Sequence, residues 1–479
     1  MKSIRYIVIA LLAGSVVALS AQDAQNTQRL SEQELTGTAR YVGMGGAMTA
    51  IGGDPSAVKD NPAGLGLYRR MEVMISLDNR YDRTKQVGVE WRHDFDFTGP
   101  QASWVFAFGD PYKDKGVIFN NIMFSYSRLR TFDRSFVASA KAQPNSLADV
   151  ICMNTNGLKE EALQPASRWD NVEVGWLSCL AYDTYLINPD SMNIGQWLPV
   201  LLEGETVDNS LRIREYGYMN QYALDWGMNI SNRVYVGAGL RMLSYSYGFS
   251  TEYREDFGKG GGLYNEASVT MSGIGVNGSL GVIYRPIECL RLGASFQTPS
   301  AATLRISNTG NMTASTDSVR TATTPSCSSD FSGFSLPLRS SVSIAFQAKQ
   351  YGLLSLQYDY QHNKNMYDVH TLRAGLEVVP INRFFINAGY VYESSFRNGT
   401  DIVEHIYNAV RTDTHFQNLR STQYISFGLG YRGRAIIAQA AYQCGIQKMD
   451  LYAHQLATPY DIRTQTHRLV LTLGWHIGD

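Results

Sequence analysis

From Met71 onward the sequence repeats one pattern, and that pattern leaves few folds open. Apolar and polar residues alternate in run after run, with turn residues between the runs. This is the period of a strand with two unlike faces. Val234, Val236, Ala238, Leu240 and Met242 share one face, with Arg241 on the other. Leu354, Leu356, Tyr358 and Tyr360 oppose Ser355, Gln357 and Asp359, and Leu372, Ala374, Leu376 and Val378 oppose Arg373 and Glu377. Near the C-terminus, Leu469, Leu471, Leu473, Trp475 and Ile477 oppose Thr472, Gly474 and His476. In a soluble sandwich such an apolar face meets another sheet; in a membrane barrel it meets lipid and the polar face lines the lumen.

Three further features favour the barrel. Connections alternate short and long: short at 229–233, 285–289, 350–352, 380–383 and 432–434, long near 132–212, 250–264, 308–335, 394–420 and 447–465. Short periplasmic turns and long external loops have that rhythm. Aromatics gather at strand ends, among them Tyr245, Tyr247, Tyr390, Tyr392, Tyr424 and Trp475, as interfacial girdles do. The chain also closes on a strand, 466–478.

Parity then sets the strand count. A barrel that begins and ends in the periplasm needs an even number. After the 132–212 loop the pattern gives strands near 213–229, 233–249, 265–285, 289–306, 336–349, 352–361, 369–379, 383–393, 421–432, 434–446 and 466–478. Before it, 70–82, 86–109 and 116–131 complete an all-β, antiparallel transmembrane barrel of about 14 strands. The second strand contains Gly99-Pro100. Proline removes a ladder hydrogen bond and glycine permits a bend or bulge, so this wall strand is expected to be broken there.

Several function classes are disfavoured. A net charge of −1 on 479 residues argues against a nucleic-acid partner, which needs a strong positive field. Apart from the N-terminus, no run reaches the roughly 18 apolar residues of a spanning helix. That N-terminus carries Lys2 and Arg5, an apolar run from Tyr6 to Leu19 and then Ser20-Ala21, which reads as a cleaved signal peptide over 1–21. The five cysteines, Cys152, Cys179, Cys289, Cys327 and Cys444, form no metal-ligand spacing. Cys152 and Cys179 share one loop, where pairing and free thiols are both open. Gly-x-Ser-x-Gly, Walker and HExxH motifs are absent and the eight histidines are scattered, so no enzyme, metal site or cofactor is expected. His362 and His370 flank a short external loop and read as solvated histidines.

The long loop 132–212 is apolar in patches. A segment over 172–186 has helical character, and Trp176, Leu180, Trp197 and Leu201 are candidates for contact with a greasy ligand or for burial within a lid.

One stretch, Thr36 to Arg70, fits neither wall nor loop. Residues 22–35 before it read as a polar, mobile lead-in. The stretch itself is rich in small residues: Gly43, Gly45, Gly46, Gly52 and Gly53 permit tight turns, and Pro55 and Pro62 block strand extension. Asn61 can hydrogen-bond local backbone, so Asn61-Pro62-Ala63 is the expected anchor to the barrel interior. A hatch over 22–67 inside a barrel over 68–479 follows, with Gly45, Gly46, Asn61, Pro62 and Ala63 as its gate residues. The lumen charges Asp225, Arg241, Asp359, Arg373 and Glu377 are expected to pair with one another and hold it; Arg241 and Arg373 are also candidates to grip a ligand carboxylate.

Gly37-Thr38-Ala39-Arg40, Gly43-Met44-Gly45-Gly46-Ala47, Gly52-Gly53-Asp54 and Asn61-Pro62-Ala63-Gly64-Leu65 together resemble the N-terminal signature of the FadL/TodX family of outer-membrane transporters. Tyr68-Arg69-Arg70 resembles its Bacteroidetes-type branch, and the segment 291–299 resembles a recurring strand-to-loop segment of the family. The resemblance implies a 14-stranded barrel with an N-terminal hatch in a Gram-negative outer membrane. It implies passive uptake of a hydrophobic small molecule such as a long-chain fatty acid, by hatch movement and lateral exit into outer-membrane lipids, with Gly99-Pro100 the candidate opening. A related branch serves as a shuttle in type IX secretion, which would make secreted proteins the partners instead.

Overall fold

The computed structural model describes residues 29–32, 34–86, 92–164, 166–171, 173–258, 260–362, 368–395 and 410–477. The expected signal peptide, and hatch residues 22–28 and 33, lie outside the described residues.

The wall opens with β1 (Met71–Gln86), β2 (Arg92–Gly109) and β3 (Val117–Thr131), which β4 (Arg134–Gln143) continues after a break. A cap follows, containing the short pair β5 (Ile187–Pro189) and β6 (Trp197–Pro199). Three long strands come next: β7 (Val207–Ile230), β8 (Val234–Gly258) and β9 (Gly261–Ile287). Then come β10 (Leu290–Gln297), β11 (Ser300–Ser315), β12 (Val319–Thr323), β13 (Cys327–Leu336) and β14 (Leu338–Ala348). The meander ends with β15 (Gly352–His362), β16 (Val369–Ile381), β17 (Phe384–Ser395), β18 (Phe416–Arg432), β19 (Ile436–Tyr452) and β20 (Tyr460–Ile477). The ladder closes where β1 pairs with β20, from Met71↔Ile477 to Gln86↔Ile462.

The 18 strands of this sheet make a closed antiparallel barrel of 14 wall strands. Three wall strands are each broken in two: β3/β4 beside β7, β10/β11 beside β9, and β13/β14 beside β10 and β11. β12 is a side arm on β11. The breaks at Pro299 and Pro337 are neighbours, flanked by Gln297↔Arg339 and Ser300↔Leu336, and proline has no N–H to give a ladder.

Alternation places the apolar face outside. Leu240, Leu356, Leu372, Phe427, Leu429, Leu471 and Leu473 are exposed, whereas Arg241, Gln357, Ser426, Arg468 and Thr472 are buried inside. A belt of bare leucine and phenylalanine around a closed barrel is a lipid-facing surface. Among the described residues no helix is long and apolar enough to cross a membrane.

The strands run further than the sequence pattern suggested. The connection expected at 250–264 is strand on both sides of a short turn, because β8 ends at Gly258 and β9 begins at Gly261. Likewise β11 and β13 occupy most of 308–335, and β19 and β20 most of 447–465. At 25 and 27 residues, β8 and β9 reach roughly 80–90 Å along the strand, far more than the roughly 10 residues a bilayer requires. Their outer ends support the cap rather than contact lipid. Tyr253, Leu263, Met312, Met449, Leu451 and Ile462 share one apolar core with cap residues Leu147, Ile151, Val174, Cys179, Leu180 and Leu186.

Candidate functional site

Residues from Leu35 to Tyr68 pack against the inner face of the wall nearly all the way round. The helix Ala39–Gly43 is capped by Thr38, whose Oγ1 accepts from Tyr41 N and donates to Asp54. Asp54 in turn caps the helix Pro55–Asp60 by accepting from Ser56 N at 2.9 Å. The first amides of the Ala39–Gly43 helix have no partners within the helix. The wall supplies them: Ala39 N donates to Thr472 Oγ1 at 2.8 Å and Arg40 N to Gln439 Oε1 at 3.1 Å. Thr49 N and Ala50 N donate to Gln357 Oε1 and Ser343 Oγ, each at 3.0 Å.

Wall glycines let the hatch backbone come this close. A β-carbon on Gly389 would lie 2.1 Å from Gly45 N, and one on Gly375 2.5 Å from Met44 O. Gly45 and Gly46 turn the chain there in the left-handed region, at φ +63 and +69. A second seat receives Asn61-Pro62-Ala63. β-carbons on Gly281 and Gly237 would lie 1.8 Å from Asn61 Oδ1 and 2.4 Å from the Pro62 carbonyl carbon. Asn61 Oδ1 accepts from Ala63 N at 3.0 Å, while Nδ2 donates to Thr49 O at 2.8 Å and to the wall carbonyl of Val282 at 3.3 Å. One side chain thus ties both hatch segments to β9.

Charges inside the barrel are satisfied by the hatch and by each other. Arg241 donates to Lys59 O at 2.7 Å and lies 3.5 Å from Asp225. Arg373 donates to the Tyr41 hydroxyl at 3.0 Å and lies 2.7 Å from Asp359, and Arg40 meets Glu377 at 2.6 Å.

Above the hatch the chain does something the sequence reading missed. Residues 29–32, 34 and 35, expected as mobile lead-in, lie within the lumen in a net of ion pairs. Arg29 donates to Glu215 at 2.6 Å, and Glu215 also meets Arg134. Glu32 bridges Arg29 and Arg130, each at 2.6 Å; Glu34 meets Arg468 at 2.5 Å and Arg80 at 2.8 Å. Burial pushes the Glu34 carboxyl up, but Arg80, Arg468 and Arg130 outweigh it and hold the group down at about 2. The same opposition, with Arg29 and Arg130 as the cations, keeps Glu32 below the usual carboxylate range. Nothing in the local sequence announces this net, because Glu215 and Arg468 lie hundreds of residues away.

Beside the net, one side of the lumen is apolar. Leu243, Tyr245, Tyr247, Phe249, Val269, Met271 and Leu304 form a continuous inner patch. Here it is covered by the chain's own Leu30 and Phe132. The Phe132 ring lies tilted against Tyr247, centroids 4.7 Å apart, and under the guanidinium groups of Arg130 and Arg29. Among the described residues, voids of about 50 and about 40 Å³ lie in the lumen, lined by Glu34, Arg80 and Arg468 and by Arg339, Asp359 and Arg373, each with room for water.

The cap holds the other candidate ligand residues. The segment expected as a helix over 172–186 is helical at Trp176–Asp183, and a second helix, Leu147–Thr155, packs with it. Trp176, Leu180 and Trp197 are buried, and Leu201 is half-buried. Trp176 Nε1 donates to Trp169 O and Trp197 Nε1 to Leu158 O. Their surface is therefore used by the cap itself. Cys152 and Cys179 are both buried free thiols, pushed up to about 12 by burial. His362 and His370 stand on either side of Tyr360; His370 is 2.5 Å from the Tyr358 hydroxyl and His362 2.9 Å from Asp368.

Gly99-Pro100 sits at a discontinuity in the wall. The β1–β2 register slips between Asp78↔Gly99 and Asn79↔Phe97, leaving Thr98 as an extra residue in a bulge. The β2–β3 ladder runs from Gly109↔Phe119 only to Ala102↔Tyr126. Above that level β2 pairs with β1 alone, and β3 with β7 alone. The chain after β3 turns inward: Arg80 donates to the carbonyls of Thr131 and Asp133, and Phe132 N donates to Gly217 O at 2.8 Å. At the lower edge of the gap Gln101 Nε2 donates to Ser56 Oγ of the hatch at 2.9 Å. Phe95 and Phe97, 74% and 51% exposed, stand on its outer lip.

This architecture matches solved membrane channels. A FadL homologue from Pseudomonas aeruginosa aligns over 93% of this chain and 99% of its own, with 11% identity and a TM-score of 0.53. The monoaromatic hydrocarbon channel CymD aligns over 94% and 100%, at 12% identity and 0.53. The Pseudomonas putida toluene transporter TodX aligns over 93% and 100%, at 13% identity and 0.52. At these identities the likeness is one of fold, and it extends over essentially the whole of each chain. No protein-family model matches the sequence, and no curated protein does.

Proposed function

We propose that the protein is an outer-membrane channel for passive uptake of hydrophobic small molecules, such as long-chain fatty acids or hydrocarbons. It carries no covalent chemistry and uses no nucleotide. The ligand passes under the cap to the apolar patch between Leu243 and Leu304, taking the place of Leu30 and Phe132. It then leaves sideways between β2 and β3, once the hatch helix Pro55–Asp60 releases Gln101.

The observation that carries this reading is the lost β2–β3 pairing above Ala102. A gap that begins within the apolar belt opens into lipid, not water. An apolar molecule gains nothing from a polar pore but is stabilised at each stage of a path lined by Tyr245, Tyr247 and then acyl chains. Two of the matched channels are a toluene transporter and a monoaromatic hydrocarbon channel, which suits an aromatic-lined patch. The gate roles of Gly45, Gly46, Asn61, Pro62 and Ala63 follow from the same reading: they seat the element that moves.

Uptake of a radiolabelled long-chain fatty acid and of toluene, by cells with and without the protein, tests it directly. Protein-dependent uptake of either supports the channel; uptake of neither rejects it. A second reading, a shuttle that holds secreted proteins, has one observation in its favour. Met192, Ile194 and Leu202 on the cap are 89%, 87% and 75% exposed. Co-purification of secreted proteins that is lost in M192S/I194S would move the assignment there.

A further inference from the structure

One strand beside the wall gap turns two neighbouring arginines to opposite sides. Arg128 and Arg130 stand two apart on β3, a spacing that ordinarily keeps side chains on one face. The β3–β7 register slips between Arg128↔Asn220 and Arg130↔Met219, and Leu129 is the extra residue. Below the slip, Ser127 and its partner Gln221 are buried towards the lumen, so Arg128 faces out. Above it, Arg130 is buried inside, over the Phe132 ring and 2.6 Å from Glu32.

The slip lies where the wall parts. The β2–β3 ladder ends at Ala102↔Tyr126; continued in that register it would set Pro100 opposite Arg128. Arg128 is therefore the first outward residue of β3 beyond the last β2 pairing. Its charge acts on Asp96 across the gap, but that carboxylate lies on the lumen side, 3.9 Å from Arg80. The guanidinium is held on a platform. Nε donates to Asn220 Oδ1 at 3.2 Å, and the same oxygen accepts from the Tyr126 hydroxyl at 3.3 Å. The group lies over the Tyr218 ring, 4.7 Å from its centroid, and Tyr126 packs against Tyr222 at 5.3 Å. Among the described residues Asn220 is its one hydrogen-bond partner, which leaves the two terminal amino groups as a planar fork of the kind that matches a carboxylate.

The neighbouring strands set the level of this platform. One row below Arg128, the outward residues are Tyr126, Tyr222, Met242 and Val276, and the last three are exposed. One row above, they are Tyr218, Ser246 and Ser272. Arg128 thus stands at the upper edge of the acyl region, among tyrosines of the kind that mark the membrane–water boundary.

We propose that Arg128 receives the carboxylate head of an amphiphile leaving through the gap, while its tail enters the acyl layer between Phe97 and Tyr126. The inference rests on the channel reading above and adds a preference to it. A head leaving the lumen beside Arg130 has roughly 7 Å of strand to cross before it meets Arg128. On a wholly apolar lip an ionised head would lose its water without gaining a partner, at a high cost. A neutral head makes no ion pair with Arg128 and gains far less from it.

Uptake of radiolabelled palmitate and hexadecanol by cells tests this, since the two share one chain and differ in the head. Variants are compared at equal amounts of folded protein, checked by heat-modified gel mobility. R128Q should lower the palmitate-to-hexadecanol uptake ratio about fivefold, the scale of a hydrogen bond to a charge at a half-exposed site. R128K, which keeps the charge without the fork, should fall between R128Q and wild type. An unchanged ratio in R128Q overturns the proposal, whether both uptakes stand or both fall together; the latter would make Arg128 a residue that only shapes the gap. R128K no better than R128Q would also overturn it, leaving the stack on Tyr218 and not the charge as what matters. Uptake of neither compound by wild-type cells would instead reject the channel itself, and this role with it.

Discussion

Two parts of the same N-terminal segment fill the lumen by opposite means. Residues 36–68 are held by shape: backbone lies on backbone, at seats where Gly237, Gly375 and Gly389 leave no side chain in the way. Residues 29–32 and 34 are held by charge, with Glu32 and Glu34 spread over Arg29, Arg130, Arg80 and Arg468. Close packing has essentially one solution and fails abruptly when disturbed. Ion pairs exchange partners, and buried ones add less stability than their number suggests, since desolvation opposes them. The hatch is therefore the durable part of the plug. The charged segment is the part that can be traded for a ligand without disturbing the seat below it.

The comparison breaks most easily at the glycine seats. Gly389→Val puts side-chain atoms where Gly45 N now lies, a mechanism in the class that costs more than about 4 kcal/mol. The expected result is an unseated hatch and a large rise in ion conductance across planar bilayers. Conductance at the wild-type level would mean that the hatch is not held by shape. At the charged segment, Glu34→Gln leaves three buried arginines underpaired, at a cost on the order of 3–5 kcal/mol. Hydrogen exchange at 29–35 should then rise sharply while 39–61 stays protected and conductance stays low. Loss of protection in both segments would show one cooperative unit instead of two.

Acid separates the regions more gently. Glu32 and Glu34 are held below the usual carboxylate range, so their contribution is present above the ordinary carboxylate pKa. It is lost only as pH falls through the lowered value, which for Glu34 is about 2. His415 and His454 behave oppositely: burial pushes both down to about 4, so the folded state keeps them neutral. Stability from these two is complete above the ordinary histidine value and declines as pH falls from about 6.5 towards 4. Between pH 6.5 and 4.5, exchange should increase at 410–415 and 453–459, while 29–35 remains protected. His454→Phe, beside the Tyr253 ring, should flatten the response at 453–459.

The wall was largely legible in the sequence because each strand has two solvents, lipid and lumen, and each solvent selects its own residues. Leu469 to Ile477 could be read outward and Thr472 inward without any partner strand in view. Where strands leave the membrane was not legible. Thr251, Tyr253 and Glu255 on β8 keep the same period against the cap core that Leu240 and Met242 keep against lipid. The hatch announced itself through turn-forming glycines, but its seats did not. Gly281 and Gly389 look like ordinary weak points of a strand until Asn61 and Gly45 arrive from more than 200 residues away. Arg29, Glu32 and Glu34 fell within the expected mobile lead-in for the same reason: Glu215 and Arg468 are as distant in the chain. Gly99-Pro100 was expected to break its strand; instead β2 runs on from Arg92 to Gly109, and the irregularity is a one-residue bulge at Thr98 beside them.

Closing the wall tests the central claim most directly. Deleting Thr98 removes the extra residue of the bulge, which should let the β2–β3 ladder run on beyond Ala102↔Tyr126. Amide protection at 127–131 should rise, confirming closure. The account predicts that uptake of a hydrophobic compound by cells then falls to that of cells lacking the protein, with hatch and cap intact. Full uptake through a wall shown to be closed would contradict it, and would place the exit at the periplasmic end of the lumen.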